Sequence, residues 1–321
     1  MVSRLALLAA CLLVASPATA LARPLGGTPV ALVTSERQNE LLAVSLPDGH
    51  VLRRVSIAAD PETVVAQPTG PAVVISPRSH TVTLLAWRSL RRLAVLRDFR
   101  SPQIAAITPD GEWAYVSDST SGYLSVIELA SDRIVNRVFV GHDAHHLAIS
   151  PDQSRTWVAL GESASTIVVL DTGKPNRPRV LDRFHPAALV HDLAFASDGR
   201  SVWLSSAQTD YVSVVNPTSH RVLGTVVAGP APQHIAFGAR GHVYITSGYG
   251  STIETADEHT HRLLHRAATP YGSFNVATVG DLVVTSSLLD GALTEYNGAN
   301  LARWYSKQLA PATRDLALSV W

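Results

Sequence analysis

A unit of about forty-two residues recurs from residue 28 to the C-terminus, and a period of this length narrows the choice of fold more than any single residue does. The clearest copy runs Pro109-Asp110-Gly111-Glu112-Trp113-Ala114-Tyr115-Val116-Ser117-Asp118, then Tyr123-Leu124-Ser125-Val126-Ile127-Glu128-Leu129, then Arg133-Ile134-Val135-Asn136-Arg137-Val138-Phe139-Val140, then His145-His146-Leu147-Ala148-Ile149-Ser150. These are four strand-like runs rich in β-branched and aromatic residues, separated by turn-forming residues. Further copies begin at Pro151-Asp152 and Ser197-Asp198-Gly199, with weaker ones near Arg240 and Gly280. Four short strands per repeat predict the blades of a β-propeller.

The fourth strand of each unit is expected at 62–66, 102–107, 145–150, 191–196, 233–237, 274–278 and 314–318, which predicts an all-β, seven-bladed ring of four-stranded antiparallel blades. By analogy with propeller repeats, this strand lies innermost, beside the axis. The chain opens with only three strands of a blade, near Val30–Thr34, Leu41–Leu46 and Val51–Ile57, while Arg314–Leu318 is left over at the other end. The last segment is therefore expected to complete the first blade, a closure that removes exposed sheet edges.

A single ring accounts for residues 28–321 as one domain, because all-β domains can exceed the usual size. Residues 1–22 have another character. Arg4 precedes the apolar run Leu5–Ala15, and Ser16-Pro17-Ala18-Thr19-Ala20-Leu21-Ala22 follows with small residues, which reads as a secretory signal peptide cleaved after Ala20 or Ala22. Leu8-Ala9-Ala10-Cys11 also fits a lipoprotein cleavage box, but the apolar run before Cys11 is short and continues beyond it. The protein is thus expected to be exported, whether extracellular, wall-associated or periplasmic, with residues 23–27 as a short lead-in. Cys11 is the sole cysteine, so the mature chain has no disulfide; a core of this size needs none. The 26 basic and 26 acidic side chains balance, which argues against a nucleic-acid partner, since such proteins usually carry a basic excess. No stretch after the leader is long and apolar enough for a membrane helix, and a monomer is expected.

The series Ala114-Tyr115-Val116-Ser117-Asp118 through Val126-Ile127-Glu128-Leu129, with Val202-Trp203-Leu204-Ser205-Ser206 and Val243-Tyr244-Ile245-Thr246-Ser247, resembles the YVTN-type β-propeller repeat. The resemblance extends over nearly all of residues 28–321. It implies the fold and leaves the function open, because such propellers include structural, ligand-binding and enzymatic members. Tyr115, Trp157, Trp203 and Tyr244 occupy equivalent places on second strands, where a large ring fills the wedge between blades.

Chemistry is sought where the repeats differ. Aligning the inner strands on Val64, Ala105, Leu147, Leu193, Ile235, Val276 and Leu316 places Thr63, Ile104, His146, Asp192, His234, Asn275 and Asp315 at one level. The residues one earlier are Glu62, Gln103, His145, His191, Gln233, Phe274 and Arg314. Imidazole nitrogen and carboxylate oxygen converging on the channel suit a divalent ion such as zinc or manganese, with His146, Asp192, His234, Asn275 and Asp315 as candidate ligands. His145, His191 and Arg314 are candidates for contacting a polar or anionic ligand. The structural alternative is that these polar groups are solvated, or satisfy a seam between strand ends. His259, His261 and His265 are expected at loop and edge positions.

Two functional readings follow. One is a non-enzymatic exported scaffold that binds a small polar ligand, a wall component or a protein, with no cofactor beyond a divalent metal in the channel. The other is a metal-dependent hydrolase or lyase acting on a lactone, the ion polarising a carbonyl while His or Asp moves a proton. No phosphate loop, nucleophile elbow or His-Glu-x-x-His motif is present.

Overall fold

The computed structural model describes residues 27–46 and 48–321; the proposed leader, with Cys11, lies outside the described residues. Alternating apolar residues in short runs bounded by polar turns form twenty-eight strands, arranged as seven four-stranded antiparallel sheets. Blade 3 shows the pattern: Pro102–Ile107, Trp113–Asp118, Tyr123–Glu128 and Arg133–Phe139 run from the axis outward. Its two middle strands are almost wholly buried, and its outer strand alternates between half-buried and exposed. The other inner strands are Thr63–Ala66 in blade 2, Ala144–Ile149 in blade 4, Leu193–Phe195 in blade 5, Ile235–Phe237 in blade 6 and Ser273–Val279 in blade 7. In blades 5 and 6 they are shorter than the sequence suggests.

Blade 1 is assembled from both ends of the chain. Its inner strand, Thr313–Val320, pairs antiparallel with Pro29–Ser35, and Glu40–Ser45 and Val51–Ser56 complete the sheet. Consecutive inner strands touch all the way round, so the ring is closed. The apolar residues divide into seven clusters, and each spans one blade-to-blade interface. The core is thus distributed around the ring. Tyr115, Trp157, Trp203 and Tyr244 sit in four of these interfaces and are fully buried or nearly so, as their positions on the second strands imply.

One irregularity repeats in every blade. In blade 4, Ala144 pairs with Leu160 and Leu147 with Val158, so His145 and His146 both stand opposite the single residue Ala159. Glu62 and Thr63 share Ile75, and Gln103 and Ile104 share Ser117. His191 and Asp192 share Ser205, while Gln233 and His234 share Thr246. Phe274 and Asn275 share Ser286, and Arg314 and Asp315 share Thr34. Each is a β-bulge, the device by which a strand re-aims side chains. Here it suspends strict alternation, so two consecutive residues per blade reach the channel mouth.

Hydroxyls fasten the bulges across blades. Ser117 Oγ donates to the His145 carbonyl at 2.6 Å, Ser286 Oγ to that of Arg314 at 3.1 Å, and Thr63 Oγ1 to that of Gln103 at 3.0 Å. Ser205 and Thr246 make the equivalent bonds to Gln233 and Phe274.

Candidate metal centre

The paired bulge residues of blades 4, 5 and 6 bring four imidazoles to one side of the mouth. Ring centroids lie 4.8 Å apart for His146 and His191, 5.5 Å for His146 and His234, and 5.3 Å for His191 and His234. One potential ligand atom from each of these three rings falls within 4.8 Å of the others. Zinc takes nitrogen at about 2.0–2.1 Å, which requires nitrogens roughly 3.4 Å apart in a tetrahedron. The trio is spaced up to 4.8 Å, wider than that.

Which nitrogens are free follows from the surrounding hydrogen bonds. His191 Nδ1 lies 3.0 Å from the Glu162 carbonyl, His234 Nδ1 lies 3.5 Å from Asp192 Oδ2, and His146 Nδ1 lies 2.9 Å from His145 Nδ1. His146 and His191 thus have Nε2 left to offer, and His234, with Nδ1 facing the Asp192 carboxylate at ion-pair distance, is oriented to do the same. An acceptor behind the ligating ring is the usual means of fixing its tautomer and direction at a metal site.

Burial, reinforced by the neighbouring imidazoles, holds His146 well below the ordinary histidine range. Burial also pushes His145 down to about 4, and burial with the nearby His234 lowers His191. All three shifts favour the neutral ring, the form that ligation requires. Burial opposes charge on His234 too, but the Asp192 carboxylate, aided by Asp315, more than offsets it and makes this ring the most basic of the set.

The remaining sequence candidates reach the same cavity, which is about 430 Å³, but make different contacts. Asp192 Oδ2 accepts the Ile235 N–H of blade 6 at 3.1 Å. Asp315 does the same at the seam between blades 1 and 2, accepting Val64 N–H at 2.9 Å, and also accepts Leu316 N–H at 2.8 Å, while burial raises its carboxyl to about 6. Asn275 Nδ2 donates to the Arg314 carbonyl at 2.8 Å. The Arg314 guanidinium pairs with Glu36 at 3.0 Å and Glu62 at 2.8 Å. The structure therefore gathers His146, His191 and His234, with Asp192 behind His234, and places Asn275 and Asp315 in joints between blades. His259, His261 and His265 are not gathered into such a group. The backbone carbonyl of Glu162 was not foreseen as a partner of His191. It is presented by a loop pinned through the isolated bridge between Ala164 and Val190, a contact with no local sequence signal.

Burial lifts the Glu62 carboxyl to about 7 against the pull of Arg314, with Asp60 and Glu36 adding to the rise. A carboxyl held higher in the folded than in the unfolded state contributes stability that is complete below its unfolded value and is lost as pH rises through about 7. Glu62→Gln removes that dependence. Its stability relative to the parent should therefore increase between pH 5 and pH 8, by about 1–3 kcal/mol, in thermal melts of metal-free protein. A difference that does not change with pH would contradict the assignment.

No protein-family model matches the sequence, and the search of curated proteins found no match. Solved structures do share the fold. A functionally unknown protein from Desulfotomaculum acetoxidans DSM 771 aligns with a TM-score of 0.77 at 14% identity, covering 91% of this chain and 99% of that one. Apo AztD from Citrobacter koseri gives 0.73 at 7% identity, covering 91% and 98%. The dihydro-heme d1 dehydrogenase NirN, solved in complex with DHE, gives 0.63 at 16% identity, covering 89% and 74%. At these identities the likeness establishes the seven-bladed propeller and leaves the activity open. Among the described residues no helix is long and apolar enough to cross a membrane.

Proposed function

We propose that this protein is a non-enzymatic binding propeller of the YVTN-repeat type, exported by its N-terminal leader, and that it holds a divalent transition ion at the channel mouth through His146, His191 and His234. The observation that supports this most directly is that one ring nitrogen from each of three histidines on three blades lies within 4.8 Å of the others, while Nδ1 of His146 and of His191 is already hydrogen-bonded and Nδ1 of His234 faces Asp192. An all-imidazole set suits zinc and other late first-row ions and is poor for magnesium or calcium, which prefer oxygen. Asp192 fits better as the acceptor behind His234 than as a direct ligand.

Calorimetric titration of zinc and manganese into chelator-treated protein tests the reading. One tight site is expected for zinc, and replacing any one of the three histidines with Ala should weaken it by about a hundredfold or more, since three ligands are the usual minimum for an open zinc site. If the parent binds zinc no more tightly than the triple variant, the reading is wrong. A lactone hydrolase or lyase is the second reading, favoured by the cavity that the three histidines line, where a substrate carbonyl could reach an ion they held. Zinc-dependent turnover of a lactone, lost in His191→Ala, would support it over the scaffold.

A further inference from the structure

The three groups behind the histidine trio differ in one respect. The Glu162 carbonyl and the Asp192 carboxylate can only accept a hydrogen bond from Nδ1, whereas His145 can either accept or donate. Two ring nitrogens 2.9 Å apart accommodate one proton between them. Two protons would collide, and none would set two lone pairs face to face.

In the neutral form that ligation requires, the shared proton has two possible positions. If the proton is on His146 Nδ1, His146 Nε2 is bare and can ligate. If it is on His145 Nδ1, His146 carries its hydrogen on Nε2, directed into the trio, and cannot ligate without first losing it. We infer that His145 is a positioning residue of the metal centre: by accepting the Nδ1 proton of His146 it holds that ring in the ligating tautomer, and occupancy of the centre in turn fixes His145 as the Nε2–H tautomer. The inference rests on the metal-binding reading above.

The fold prepares this pair. Adjacent residues on a regular strand point to opposite faces, and only the bulge in blade 4 lets both rings turn the same way, with centroids 4.5 Å apart and planes at 39°. The backbone at that point is anchored by the bond from Ser117 Oγ to the His145 carbonyl. His145 is half-buried on the cavity wall and His146 is only 4% exposed, so water competes poorly for the shared proton.

The experiment compares the parent with His145→Gln, which keeps an acceptor, and His145→Phe, which keeps a ring without one. Zinc affinity is measured by competition with a chromophoric chelator, and histidine tautomers by long-range ¹⁵N–¹H correlation with and without zinc. His145→Phe should bind about 10–100-fold more weakly, the range found when an outer-shell partner is lost, and His145→Gln should recover to within a few-fold of the parent. In the zinc-loaded parent, His145 should appear as the Nε2–H tautomer and His146 as Nδ1–H. Equal affinity of parent and His145→Phe, or an Nδ1–H tautomer for loaded His145, overturns the inference while leaving the metal centre intact. Failure of the parent itself to bind zinc refutes the centre, and the inference falls with it. Thermal melts of both variants separate loss of the acceptor from loss of the fold.

Discussion

Deleting residues 312–321 is expected to abolish cooperative folding of the whole ring. The segment supplies the inner strand of blade 1, paired with Pro29–Ser35, and touches the inner strands of blades 2 and 7. Ala317 belongs to the cluster between blades 1 and 2, whereas Leu316 belongs to that between blades 7 and 1, so one deletion opens two of the seven interfaces. Val320 N–H and Ser319 Oγ both donate to the Pro68 carbonyl, at 2.7 and 3.1 Å, and Trp87 Nε1 donates to the Val320 carbonyl at 3.1 Å. Burying a Leu or Val side chain contributes about 1.5–3 kcal/mol and a backbone hydrogen bond about 0.5–1.5 kcal/mol. Losing several of each matches the whole stability of a typical domain, about 5–15 kcal/mol. The truncated protein should show no sharp thermal transition, rapid proteolysis and self-association through its open edge. A synthetic peptide of residues 312–321 should partly restore protection. A truncation that keeps the parent melting temperature and a monomeric state would refute this role for the strand.

Gly291→Ala is the second change expected to be severe. Gly291 has φ +68, and a Cβ placed on it would lie 1.6 Å from the Ala310 carbonyl oxygen, a backbone atom that cannot swing away. The close approach is built in, because Leu309 N–H donates to the Gly291 carbonyl at 2.8 Å and Ala310-Pro311 then leads the chain into the closing strand. A left-handed conformation costs a non-glycine residue about 1–2 kcal/mol, and forced overpacking adds about 1–3 kcal/mol. Gly280→Ala separates the two contributions, since that residue has φ +58 with open space where the Cβ would go. Thermal melts should place Gly291→Ala well below Gly280→Ala. Similar melting temperatures would show that the chain near residue 310 relaxes freely.

Much of the ring was legible in the sequence because its determinants are local and repeat. The alignment on Val64, Ala105, Leu147, Leu193, Ile235, Val276 and Leu316 holds in the ladders, where these residues pair with Val74, Val116, Val158, Leu204, Ile245, Thr285 and Val33. The closing strand was legible for a related reason: a repeat begun with three strands leaves its fourth at the other end of the chain. The composition of the histidine cluster was less accessible. Strict alternation puts His191 and Asp192 on opposite faces, and His145 opposite to His146, so ligands would be sought at one level only. The bulge brings both levels to the mouth, and nothing in a single pair of residues announces it. Its sequence trace is indirect, in the hydroxyls Ser117, Ser205, Thr246 and Ser286 that reach the bulge carbonyl of the next blade. Asp192 and Asp315 illustrate the same limit, since the neighbouring blade's N–H that each carboxylate accepts exists only in the closed ring.

The seam in blade 1 also sets how the ring answers a mechanical load. Thr28 and Trp321 exchange backbone hydrogen bonds at 2.9 and 3.0 Å, and Pro29 stands opposite Val320, so both ends of the ring leave from the same end of one antiparallel pair. Tension applied between those ends loads the rungs one after another, as a zipper is opened, instead of stretching all of them at once in shear. A fold stabilised through seven interfaces is thus loaded, by a pull along its own chain, first at this one pair and its bonds to Pro68 and Trp87. Holding both ends at one point places no load across the seam, and the same adjacency lets the whole ring be carried as an insertion within another chain with almost no gap to bridge.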